Sequence, residues 1–142
     1  MAIEVLDDPF LQKCNKGRCS DVIMNKTKEE YITYRLERAI LTLNDAKTLA
    51  NTKSWNSSIN RLYYACFYAI LALFAKNDIN SNTHTGVKTQ FNLHFIKNGK
   101  LDKSFGMLFS DLFDYRQKGD YGDLFDFEET DVVMNTTGRR FY

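Results

Sequence analysis

Asn60-Arg61-Leu62-Tyr63-Tyr64-Ala65-Cys66-Phe67-Tyr68-Ala69-Ile70-Leu71-Ala72-Leu73-Phe74 decides the fold of this chain. It opens with one charge and continues as an almost unbroken apolar and aromatic run. A helix that is apolar on every side is buried on every side. The run is shorter than the roughly 20 apolar residues that span a bilayer. It therefore predicts the central helix of a small soluble bundle, with no membrane segment. Arg61 is the exception, because a charge at the edge of such a core calls for a carboxylate or phosphate partner.

Working outward, helical periodicity continues on both sides. Thr27-Lys28-Glu29-Glu30 has capping-box spacing. Ile32, Leu36, Ala39, Ile40, Leu43, Ala46, Leu49 and Ala50 follow at helical intervals, predicting a first helix to about Asn51. Ser54 or Asn56 can cap the second helix, which reaches about Lys76. A polar turn over Asn77 to Thr83 precedes a third helix from about Thr85 to Lys97, and Asn98-Gly99 stops it. Asp102 caps a fourth helix carrying Phe105, Leu108, Phe109, Leu112, Phe113 and Tyr115, which ends near Gly119. Asp126 to Asn135 has the pattern of a short fifth helix. Strand signals are nearly absent. The expected fold is all-α, an up-and-down bundle of four to five helices. Residues 1–25 hold the only proline and scattered charge, and read as a poorly ordered leader to a domain spanning 26–142.

At 142 residues the chain fits one domain and can bury a core without disulfide or metal staples. The net charge of +1 makes no global case for nucleic acid. Its distribution says more. Lys26 to Arg61 holds seven basic and four acidic residues, and Ser110 to Asp131 holds eight acidic and two basic. A nucleic acid would favour the first region and avoid the second; two solvated faces of opposite sign account for the same numbers. Cys66 lies in the apolar run and reads as a buried thiol. Cys14 and Cys19 have no second ligand pair, so the spacing argues against zinc, and no cofactor is called for. The N-terminus has no signal-peptide pattern, which makes the expected location cytoplasmic.

The chain is poor in catalytic groups. There is no nucleophile elbow and no phosphate loop. Its two histidines are His84, in the turn before the third helix, and His94 within it. His94 reads as a partly exposed helix residue. His84 reads as a neighbour of a helix N-cap or as a proton-transfer or phosphate-contact group. Arg116-Gln117-Lys118-Gly119-Asp120-Tyr121-Gly122-Asp123 is the second notable segment. Arg116 and Asp120 are spaced for a helix-surface pair. Alternatively Arg116 is an anion binder held by Asp120, with Tyr121 beside it, since Arg suits bidentate phosphate contact.

Asn60-Arg61-Leu62-Tyr63-Tyr64-Ala65-Cys66-Phe67, then His84-Thr85-Gly86, Phe91 and His94-Phe95, then Asn98-Gly99-Lys100-Leu101, then the Arg116 segment, together resemble the HEPN domain. The likeness covers roughly Glu29 to Phe127 and is strongest to small stand-alone prokaryotic members. It implies a helical bundle, a homodimer, and a minimal nucleotidyltransferase as partner. In such pairs the HEPN protein is commonly an RNA-cleaving toxin and the transferase its antitoxin. Nuclease-active members carry Arg, four to six residues, then His. Here that window holds Tyr121, Gly122 and Asp123, and tyrosine is a poor general base near neutral pH. His84 would have to carry the proton instead. The resemblance also makes Tyr121 a candidate acceptor for nucleotide transfer by the partner. Three readings follow: a module binding nucleotide or RNA through Arg61, Tyr64, Arg116, Asp120 and Tyr121; a metal-independent ribonuclease using Arg116 with His84; or a structural dimerisation module.

Overall fold

A computed structural model describes residues 21–121 and 128–130, with side chains described at 27–118 and 128–130. The expected leader up to residue 20, Cys14, Cys19 and most of the expected fifth helix lie outside the described residues. Among the described residues four α-helices occur in order: α1 (Asp21–Asn51), α2 (Trp55–Lys76), α3 (His84–Phe91) and α4 (Lys103–Tyr121), with a π-helical turn at Asn92–Ile96 continuing α3. No strand occurs among the described residues. The all-α expectation holds.

The first helix begins earlier than its capping signal. Thr27 to Glu30 sit inside α1, so no capping box starts the helix there. The buried face of α1 also differs from the expected stripe. Leu36, Ile40 and Leu41 are 47%, 62% and 58% exposed, whereas Arg35, Thr42 and Ala46 are buried. Small side chains on that face let α1 lie close along α2, the most extensive helix pair in the fold. The Ser58 hydroxyl, fully buried, donates to the Ala46 carbonyl at 2.7 Å. This contact, and Arg35 against Tyr68, fix the two helices antiparallel.

The turns explain how each helix stops. Lys53 (φ 60°) and Asp78 (φ 56°) both take the left-handed conformation after a helix. At the first, Ser54 N–H bonds Leu49 C=O at 2.9 Å and Lys53 N–H bonds Ala50 C=O at 3.0 Å, a Schellman closure. At the second, Ile79 N–H bonds Phe74 C=O at 2.9 Å and the Ile79 side chain packs on the core. Gly99 (φ 75°) ends the π turn. Asp102 starts α4 by accepting from Ser104 N–H at 2.8 Å.

The core centres on α2. Ile59, Leu62, Tyr63, Tyr64, Phe67, Tyr68, Ile70, Leu71 and Phe74 are buried, joined by Val87, Phe91, Phe95, Phe109, Leu112 and Phe113. At 22 residues and a mean hydropathy of 1.3 in its most apolar stretch, α2 is long and apolar enough to cross a membrane. Length therefore does not exclude a span, as the sequence expectation assumed. Burial makes the case instead: 67% of that stretch is covered by the protein's own residues.

The direction of α4 positions the site. Its start abuts the π turn, where a Cβ on Gly106 would lie 2.9 Å from Asn92 Oδ1 and 3.0 Å from Ile96 Cγ1. The π turn in turn meets the far end of α2 through Phe95 and Phe74, with ring centroids 6.1 Å apart. The later part of α4 reaches Tyr63 through Phe109 and Phe113. So α4 runs antiparallel to α2, and its end meets the first half of α2.

Candidate functional site

Tyr63 is the residue on which the site is built. It is fully buried on α2, stacked on Phe67 and Phe109 and edge-on to Tyr64 and Phe113. Its hydroxyl lies 2.8 Å from His84 Nδ1. Burial pushes the phenol pKa well above its usual value, against the opposing pull of the Arg116 charge. The phenol therefore stays protonated at neutral pH and serves as a neutral hydrogen-bond group, not as a base.

His84 is the first residue of α3. The preceding Thr83 caps the helix by accepting from Gly86 N–H at 2.9 Å. That cap fixes where α3 begins, and so directs His84 inward. Its ring stacks on Phe67 at 4.7 Å and meets Tyr64 edge-on at 6.1 Å. The second ring nitrogen, Nε2, is buried. His94, by contrast, bonds Gln90 Oε1 on its own helix at 2.8 Å.

Arg116 comes from the last turns of α4 and is 7% exposed. Its guanidinium lies over two α2 rings, 5.1 Å from the Tyr63 centroid and 5.4 Å from that of Tyr64. Arg61 shares the second of these rings, with its guanidinium 5.3 Å from the Tyr64 centroid. Arg61 was expected to need a carboxylate or phosphate. It instead meets this ring and donates from Nη2 to Asn60 Oδ1 at 3.0 Å. Guanidinium groups are weakly hydrated and stack well on tyrosine, so aromatic faces lower the cost of half-burying them.

Of the residues singled out from sequence, Arg61, Tyr64, His84 and Arg116 converge within this cluster. The backbone of α4 continues helically through Asp120 and Tyr121, but their side chains lie outside the described residues, so an Arg116–Asp120 pair is not placed. Two members went unread in the sequence. Tyr63, not Tyr64, holds the histidine. Arg35, 3% exposed on α1, lies over Tyr31, Tyr34 and Tyr68 at 5.1, 5.7 and 5.4 Å, with Arg38 also over Tyr68 at 5.5 Å. Tyr68 is 6.0 Å from Tyr64, so this second group of cations adjoins the first. The available signal was Arg35 lying in register with Ala39, Thr42 and Ala46 on the buried face of α1.

No cluster of three or more His, Cys, Asp or Glu side chains suited to a metal occurs among the described residues. The arrangement offers fixed positive charge on aromatic supports next to one imidazole. Arg in such a setting suits bidentate contact with a phosphate.

Comparison with known proteins places this cluster in a family context. The sequence matches the HEPN domain over residues 32–137. A UPF0332 protein of Thermotoga maritima is 41% identical over 105 residues, covering 74% of this chain and 80% of that protein. The protein named "Putative toxin MJ0605" of Methanocaldococcus jannaschii is 31% identical over 99 residues, covering 70% of this chain and 74% of its own length. A second toxin-named protein of that organism is 33% identical over 86 residues, covering 61% of this chain and 58% of itself. With three quarters of its length matched and the all-α bundle in place, the chain belongs to the HEPN domain family.

Proposed function

We propose that this protein binds nucleotide or RNA through Arg116, supported by Arg61 and Tyr64, as the HEPN half of a toxin–antitoxin pair. Its partner in this reading is a minimal nucleotidyltransferase, and the pair works in the cytoplasm with the HEPN protein as a homodimer. The observation that carries the reading is the placement of Arg116: a nearly buried guanidinium held over Tyr63 and Tyr64 beside His84. A guanidinium held in place on two aromatic rings presents a fixed planar fork, which suits bidentate contact with a phosphate. The toxin names of two relatives support the biological setting.

The test is RNA binding and growth arrest for Arg116→Ala and Arg116→Lys. Both should lose RNA binding and toxicity while circular dichroism keeps its helical amplitude. The Lys variant retains the charge but not the fork, so its loss isolates bidentate recognition. Binding and toxicity that survive in both folded variants would remove Arg116 from the site.

The second reading, a metal-independent ribonuclease using Arg116 with His84, is favoured by one contact: both residues meet Tyr63. His84 would take the 2′-hydroxyl proton as that oxygen attacks phosphorus. The bond to the 5′-oxygen would break, with that oxygen protonated by solvent, and Arg116 would stabilise the phosphorane oxygens. It ranks second because Nδ1 is engaged by Tyr63 and Nε2 is buried. RNA incubated with the protein in EDTA separates the two readings. Cleavage that disappears in His84→Ala selects the enzyme, and binding without cleavage selects the module.

A further inference from the structure

We infer that Lys88 is a second anion-binding residue of the Arg116 site, so that the site takes two or more phosphates of a single RNA strand. This rests on the RNA-binding reading and goes beyond it by giving the ligand a length. Lys88 lies one helical turn after His84 on α3, and residues four apart share a helix face. Its ammonium sits 4.6 Å from the Phe113 ring centroid. Phe113 meets Tyr63 edge-on at 6.2 Å and lies one turn before Arg116 on α4. Arg61, Arg116 and Lys88 are therefore strung along adjoining rings: Tyr64 is shared by the first two, and Tyr63 with Phe113 joins the last two.

Lys88 pairs with Asp114 at 3.8 Å, with side-chain exposures of 28% for the lysine and 57% for the aspartate. That distance is outside hydrogen-bond range, and water screens so open a carboxylate. Phosphate can replace it, because an ammonium accepts any anion geometry through its three donors. The ring beneath Lys88 fixes where the charge stands. Arg116 and Lys88 stand over different rings, Tyr63 and Phe113, so consecutive phosphates of an extended strand can meet one cation each.

The experiment compares uridine monophosphate with a fluorescent 2′-O-methyl oligouridylate tetranucleotide, which lacks the hydroxyl needed for self-cleavage. Both are titrated against wild type, Lys88→Gln and Lys88→Arg over a range of salt. Lys88→Gln should weaken the tetranucleotide about threefold and flatten its salt dependence by about 0.7 in log–log slope, the value of one single-strand phosphate contact. Monophosphate affinity should not change, and Lys88→Arg should restore the slope. An unchanged slope, or equal loss on both probes, overturns the assignment of Lys88 while leaving Arg116 binding intact. Wild-type protein that binds neither probe overturns the RNA reading and this inference together.

Discussion

The Tyr63 hydroxyl and His84 Nδ1 stand 2.8 Å apart, and this one hydrogen bond ties the start of α3 to the middle of the core helix. Both rings rest on Phe67. The imidazole is thus clamped on its face by stacking and on its edge by a hydroxyl that stays protonated. A histidine so held has a fixed orientation toward Arg116, which lies over the same tyrosine.

Tyr63→Phe should separate packing from orientation. The ring contacts survive and only the hydroxyl is lost. A buried ring nitrogen stripped of its partner costs about 1–3 kcal/mol. Thermal denaturation should show that loss, and RNA binding should fall with it because His84 is no longer fixed. Unchanged melting with unchanged binding would show that the contact is incidental.

Alkaline stability should be limited by two groups on α2, the buried Tyr63 and Cys66, which is partly buried rather than fully enclosed as its apolar run suggests. Burial pushes the Cys66 thiol from 9.0 up to about 11, and it pushes the Tyr63 phenol further. Both folded pKa values lie above the unfolded ones. Below pH 9 the two states hold the same protons and nothing is lost. Above it the unfolded chain releases the Cys66 proton first, so stability falls as pH rises toward 11, and the Tyr63 contribution falls from pH 10 upward. Cys66→Ala should flatten the curve between pH 9 and 11 relative to its own value at pH 7, as read from urea midpoints. A slope identical to wild type in that window would show that the thiol does not titrate against folding.

Phe67→Ala should destabilise the protein by about 3–5 kcal/mol, the range for truncating a core phenylalanine. Phe67 is 3% exposed and supports both Tyr63 and His84. A urea midpoint equal to wild type would make α2 peripheral, contrary to its burial.

Lys53→Gly should act the other way. Lys53 closes the α1–α2 turn with φ at 60°, a conformation that costs a side-chain-bearing residue about 1 kcal/mol and glycine almost nothing. Its N–H bond to Ala50 C=O is retained. A gain of about 0.5–1 kcal/mol by chemical denaturation is expected. Destabilisation would mean that the lysine side chain contributes more than its backbone costs.

Much of the fold was legible because the strongest signals were local. The circumference of Leu62 to Phe74 announced a buried helix, and Asn98-Gly99 and Asp102 marked a stop and a start that the backbone bears out. The entry to α1 misled because Thr27 to Glu30 has a cap's spacing within a longer helix. The facing of α1 misled for another reason. Leu36 and Ile40 look like core residues by hydropathy, yet close packing against α2 favours the small Ala39, Thr42 and Ala46. In the site, Arg116, Arg61 and His84 could be named from residue type. Their meeting could not, because it depends on the direction of α4, which two intervening turns leave open. Tyr63 and Tyr64 are adjacent and chemically identical in the sequence. Only the rotation of α2 decides which hydroxyl reaches His84.

Assembly is where the sequence argument and the structure part. Tyr63, Tyr64, Phe67, Tyr68, Phe91, Phe95, Phe105, Phe109 and Phe113 are more large aromatics than a thin bundle easily encloses, which argues for a homodimer interface, but eight of these nine are buried within one chain and Phe105 is open, at 52%. The exposed apolar residues are aliphatic instead, with Leu36 and Ile40 one turn apart on α1 and Leu41 beside them. Such a strip is the kind of surface that association covers. Light scattering at micromolar concentration should report a dimer for the wild type. Ile40→Glu places a charge on a residue 62% exposed in the single chain, so it should leave folding intact and shift the species toward monomer. A dimer that persists in Ile40→Glu would move the interface off this face of α1, and a monomeric wild type would remove the homodimer altogether.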